Sequence, residues 1–206
     1  MNQVLLVEGN DDKHVLWAIC KKNSIKESFS IEETKGVENL ISSIPTYIKS
    51  DLGTIGILVD ADFDIKSRWE SLRTILLERD YAVPHELNTN GVIIHHEEFP
   101  TIGIWIMPNN TESGMIEDFV GILIPNDDKI LPFADATLDK LEKIGLNNYK
   151  PIHKSKARIH TWLAWQEDPG TPMGLAITKS YLDTNQELCN LFVNWLNNLF
   201  NSENKD

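Results

Sequence analysis

QVLLVEGNDD, residues 3–12, is a short apolar run that breaks abruptly into charge at Glu8 and then into a glycine-containing loop. A continuous run of this length suits a parallel strand buried on both faces, where alternation of polar and apolar residues is lost. TIGILVD at 54–60 repeats the pattern and enters a loop of aspartates. Between the two, Asp11 to Asn23 carries Val15, Leu16, Ile19 and Cys20 at helical spacing, and Ser28 to Thr34 reads as a shorter strand. Residues 37–49 set Leu40, Ile41, Ile44 and Ile48 on one helix side, interrupted by Pro45. Residues 3–60 therefore read β-α-β-α-β. That alternation predicts an α/β fold, a Rossmann-like, mostly parallel sheet flanked by helices and joined by right-handed crossovers.

Outward from this unit, residues 65–80 read as a helix with Leu72, Ile75, Leu76 and the flanking Trp69 buried. Asn90-Gly91, between HEL and VIIHH, suggests a hairpin turn. Gly103 to Met107 is a further apolar strand ending at Pro108, residues 108–114 are a polar loop, and Met115 to Ile124 restarts a helix. From Asn126 the pattern is mainly helical, with segments near 127–144, 152–167 and 184–201 and a frayed NSENKD end. The expected division is an α/β core over 1–125 and a helical C-terminal extension over 126–206 packed on it.

The chain has 206 residues, 41% of them apolar and 24% charged, which is the composition of a globular protein able to bury a core without staples. Collagen-like, coiled-coil and wholly disordered readings are excluded. Lys and Arg number 19 against 31 Asp and Glu, a net charge of -12. Such a chain should not bind nucleic acid through its surface as a whole, so a phosphate-bearing substrate needs a local basic patch or bridging cations. Cys20 and Cys189 lie among apolar residues and read as reduced core positions. The N-terminus shows no secretory pattern and no apolar run approaches the roughly 18 residues of a membrane helix. The expectation is a cytoplasmic protein with no membrane association.

In an open α/β sheet, the loops at the carboxyl ends of the strands surround the crevice where ligands bind. Glu8 closes the first strand and Asp12 can share its side at the start of the following helix. Asp60 and Asp62 close the third strand and point the same way if the chain stays extended, with Asp64 and Asp11 close by. If the strands are neighbours, Glu8, Asp12, Asp60 and Asp62 face one small space. Like charges at such range raise one another's pKa, and a divalent cation relieves the conflict. Hard oxygen ligands favour Mg²⁺ or Mn²⁺. Taken singly, Asp11, Asp12 and Asp64 also fit helix capping. Glu117, at the start of the helix after the 103–107 strand, joins the metal candidates if that strand lies beside the first or third.

His153, Lys154, Lys156, Arg158 and His160 form the densest positive stretch, and Lys154 or Lys156 is the candidate catalytic lysine. The alternative is a solvated helix face. His95-His96-Glu97-Glu98 reads as a surface loop, because adjacent strand residues point to opposite faces. Trp162, Trp165 and Trp195 read as core or interface residues.

LLVEGNDD at 5–12 followed by ILVDADFD at 57–64 resembles the Toprim fold, shared by topoisomerases, primases, recombination-repair proteins, OLD-family nucleases and small ribonucleases that mature ribosomal RNA. Its marks are a Glu-Gly after the first strand and an Asp-x-Asp after the third, and the likeness covers roughly residues 1–125. The resemblance implies Glu8 as general acid/base or metal ligand, Asp60 and Asp62 as Mg²⁺ ligands, and Asp12 as the second acidic position of the nuclease branches. GIWIMPNNTESGMIEDF at 103–119 and KARIHTWLAWQEDPGTPMGLAI at 156–177 resemble uncharacterised bacterial Toprim-related proteins. No topoisomerase cleavage tyrosine, primase zinc module or ATPase half accompanies the motifs, so strand passage and primer synthesis are not expected. The implied function is a Mg²⁺-dependent phosphodiesterase acting on nucleic acid. The alternatives are a non-catalytic Toprim-fold subunit of a nucleic-acid-processing or defence assembly, with a homodimer or partner protein, and a phosphatase of small phosphate esters.

Overall fold

Apolar strand residues alternate between two faces, and the chain covers both. A computed structural model describes residues 2–202. Strands β1 (Gln3–Val7), β2 (Ser30–Glu33), β3 (Thr54–Asp60), β4 (Val92–Ile94) and β5 (Thr101–Met107) form a 5-stranded sheet in the order β2-β1-β3-β5-β4, parallel except for β4 at one edge. Helix α1 (Asn10–Lys22) packs with Leu5, Val7, Leu58 and Trp105 on one face. Helices α2 (Val37–Ile48) and α3 (Ile65–Leu77) pack with Val4, Leu6, Ile55 and Ile57 on the other. The chain leaves β1 towards β2 and returns past it to β3, so the sheet order reverses between β1 and β3. Such a reversal opens a crevice at the carboxyl ends of the two strands.

The later helices are α4 (Ile116–Ile122), α5 (Leu131–Lys143), α6 (Lys154–Ala164, preceded by a 3-10 turn at Pro151–His153), α7 (Met173–Thr178) and α8 (Glu187–Phe200). They complete the α1 face rather than forming a separate body, since Phe192, Trp195, Leu196 and Leu199 share one cluster with Leu5 and Trp105. Trp162 and Trp195 are buried in it, whereas Trp165 is 44% exposed. Cys20 and Cys189 are buried and unbridged, as their apolar surroundings suggested.

Three local expectations change. Asn90-Gly91 is a turn, but no strand precedes it, and β4 instead pairs antiparallel with β5 through residues 95–100. Gly91 (φ 75°) has the Trp195 ring 2.7 Å from where a Cβ would stand, so its role is to admit α8. Helix α2 continues through Pro45, with Leu40, Ile44 and Ile48 anchoring it against the roughly 3 kcal/mol that an interior proline costs. The segment expected from 127 becomes helical only at Leu131, because Asp128 Oδ1 accepts the Ile130 and Leu131 N–H groups at 2.9 and 2.6 Å and caps it there. The expected fraying of the final residues falls on 203–206, which lie outside the described residues.

Candidate functional site

The ends of β1 and β3 are tied by a side chain. Glu8 accepts the Asp60 backbone N–H on Oε1 at 2.8 Å, while Asp60 Oδ1 accepts the Ile116 N–H at 2.9 Å and so holds the start of α4 against β3. Asp12 turns back in the first turn of α1 to accept the Gly9 N–H at 2.8 Å. Glu117, only 3% exposed, meets Lys156 of α6 through Oε1 at 3.1 Å, and its buried Oε2 has no hydrogen-bond partner among the described residues. A cleft of about 420 Å³ is lined by Glu8, Asp12, Asp60, Glu117, Lys35 and Lys156, with Asp11 and Glu33 also on its wall.

The charges in this cleft conflict as the sequence suggests. Burial raises Glu8 above the usual carboxylate range, against the Asp60 N–H and the Arg68 charge that pull it down. Asp12 is pushed up to about 7, first by burial and then by the charges of Glu8 and Glu117, against its bond from Gly9. Asp60 sits well above its ordinary value through burial, then through Asp12, Glu8, Glu117 and Asp62. Burial pulls the Lys156 ammonium down, but Glu117, Asp11 and Asp60 outweigh it and leave it raised.

Three expected residues stand apart from the cleft. Asp62 does not continue the strand: its φ is 53°, its N–H bonds Gly114 O at 2.9 Å, and its Oδ2 takes a 2.7 Å ion pair from Arg68. The turn breaks the i, i+2 geometry that placed it beside Asp60, although its charge still reaches Glu8 and Asp60. Asp64 caps α3, accepting from Lys66 N and Ser67 N, and its exposed carboxyl is held low by Ser67. Lys154 pairs with Glu142 at 2.7 Å and Asp139 at 3.3 Å on α5, away from the acidic cluster. Arg158 of the same positive stretch is taken by Asp135 at 2.6 and 2.9 Å. The His95 to Glu98 cluster is a surface loop in which His96 accepts the Glu98 and Phe99 N–H groups.

Two residues escaped the sequence reading. Lys35 follows β2 and lines the cleft, which the strand-end rule could have found. Arg68, one turn beyond Asp64, reaches back with Nε 2.8 Å from Asp60 O. Hard carboxylate oxygens and an orphaned buried Glu117 oxygen suit a small divalent cation, and Glu8, Asp12, Asp60 and Glu117 are the residues able to hold it. Among the described residues no group of three such side chains stands ready-made around a metal; Glu8, Asp12 and Asp60 each accept a backbone N–H, and Glu117 meets Lys156. Among the described residues no helix is long and apolar enough to cross a membrane.

Residues 2–201 match the family described as Protein of unknown function (DUF3226). No curated protein and no solved structure matches the chain.

Proposed function

The chain belongs to the DUF3226 family, and we propose that it is a Toprim-like, Mg²⁺- or Mn²⁺-dependent phosphodiesterase acting on nucleic acid. One observation carries this reading: Glu8 and Asp60 meet at the point where the sheet order reverses, beside a buried Glu117 with an unpartnered oxygen. Glu8, Asp60, Asp12 and Glu117 would hold the cation. A bound divalent ion supplies positive charge to phosphate oxygens and lowers the pKa of a water. Glu8, whose carboxyl is raised by burial and which stands at the end of β1 facing the cleft, is the residue suited to exchange a proton with the reacting water. Lys156 offers a charge to a phosphate at the cleft wall, and Arg68 offsets the carboxylates behind it.

The test is calorimetric titration of Mg²⁺ and Mn²⁺ into wild type, Glu8→Gln and Asp60→Asn, beside cleavage assays on single-stranded and duplex DNA and RNA. We expect metal affinity to fall at least about tenfold in both variants, with cleavage lost. Unchanged metal binding and cleavage in both would end this reading. A second reading, a metal-binding subunit that is inert without a partner, is favoured by the net charge of -12, which suits a chain to which a partner delivers the nucleic acid. It predicts metal binding with cleavage appearing only when a partner is added.

A further inference from the structure

The positive stretch of α6 is largely spent on carboxylates of α5, which leaves open where a polyanion would approach a chain of net charge -12. The outer side of α1 answers this. Lys13, Trp17 and Lys21 recur every four residues and so share one helix side, a strip about 12 Å long at 1.5 Å per residue. Trp17 is 43% exposed, an unusual position for the largest apolar side chain. Lys13 Nζ stands 4.9 Å from its ring centroid and the His14 ring meets it edge-on at 5.2 Å. Among the described residues, neither Lys13 nor Lys21 is paired with a carboxylate.

A groove of about 460 Å³ is lined on the α1 side by Asp11, His14, Trp17 and Lys21, with Lys13 held beside it over the Trp17 ring, and on the other side by Pro172, Met173 and the half-exposed Leu175 of the α7 segment. Helix α7 can stand so close because Gly174 packs on the His14 carbonyl, 2.5 Å from where a Cβ would be. Asn10 and Asp11 line both this groove and the acidic cleft, so the two spaces adjoin at the start of α1.

We propose that this groove is the approach track for single-stranded nucleic acid, with Trp17 stacking an unpaired base against the α7 wall and Lys13 and Lys21 meeting its phosphates. The proposal rests on the phosphodiesterase reading and names its substrate class. An exposed indole beside an apolar wall can stack a base only when that base has left the duplex, whereas cations alone would not discriminate.

The test is fluorescence anisotropy of a labelled oligothymidylate and of a matched hairpin duplex, with Ca²⁺ in place of Mg²⁺ and again in EDTA. Trp17→Ala should weaken single-strand binding roughly fivefold to a hundredfold, and Trp17→Phe should retain most of it. Lys13→Ala with Lys21→Ala should flatten the slope of log K against log salt by about 1.4. The Mg²⁺ titration of Trp17→Ala should match wild type, which separates this proposal from the metal reading tested on Glu8→Gln. Wild-type affinity in Trp17→Ala, duplex binding as tight as single-strand binding, or no oligonucleotide binding by wild type in either medium would each overturn the track.

Discussion

At the scale of single residues, Asp12 couples the site to stability. Its carboxyl is pushed up to about 7 from the ordinary 3.8, so the folded chain holds a proton that the unfolded chain has already released. The associated stability is fully present below the unfolded value and is lost as pH rises through about 7. Glu8 and Asp60 are shifted in the same direction and act with the same sign. In EDTA, the Tm of the protein should therefore fall between about pH 5 and about pH 8, and Asp12→Asn should flatten that fall; an equal slope in the variant would remove Asp12 from the account. Glu8 and Asp60 were legible because a charge at the end of a buried strand has few structural uses, and Asp12 because its place at the start of the following helix lets it share the side of Glu8. The direction of Asp62 was not, because a single positive φ turned it towards Arg68, and nothing in an alternating pattern reports such a turn.

Among elements, α8 packs tightly against the sheet, and two glycines admit it. Gly56 and Gly103 are partners in the β3–β5 register, and Leu199 and Phe200 occupy the space their missing side chains leave. A methyl group at Gly103 would meet the whole isobutyl end of Leu199, since Cδ1 and Cγ lie 2.8 and 3.0 Å from its position. Gly103→Ala should cost about 1–3 kcal/mol as overpacking, read as a lower midpoint in urea with an unchanged m-value. Relief by Leu199→Ala in the double variant would identify the clash, and additive losses would refute it. The glycines inside strands are a visible signal of close approach, but which element approaches is a tertiary fact with no local period. Helix α7 was missed for a related reason: its six residues are too few to establish helical spacing. The β-α-β-α-β order, by contrast, rests on runs long enough to carry their own periodicity, and the sheet follows it.

Across the whole molecule, the net charge of -12 and the acidic cleft impose two different electrostatic loads, and salts can separate them. Diffuse repulsion over the surface is relieved by any electrolyte, because screening at about 0.15 M ionic strength acts beyond roughly 8 Å. The cleft is different: Glu8, Asp12, Asp60 and Glu117 stand together in a partly buried space where mobile ions screen poorly. If the cleft binds a divalent ion, the folded state gains RT ln(1 + [L]/Kd) that matched monovalent salt cannot supply. Mg²⁺ should therefore raise Tm above KCl of equal ionic strength, and more so at about pH 8 than at about pH 5, since protons and metal compete for the same carboxylates. In Glu8→Gln with Asp60→Asn, the increment specific to Mg²⁺ should vanish while the shared effect of salt persists. An equal Mg²⁺ increment in that double variant would mean that the ion stabilises the anionic surface at large, and the carboxylate cluster would then be a local strain that the surrounding core offsets.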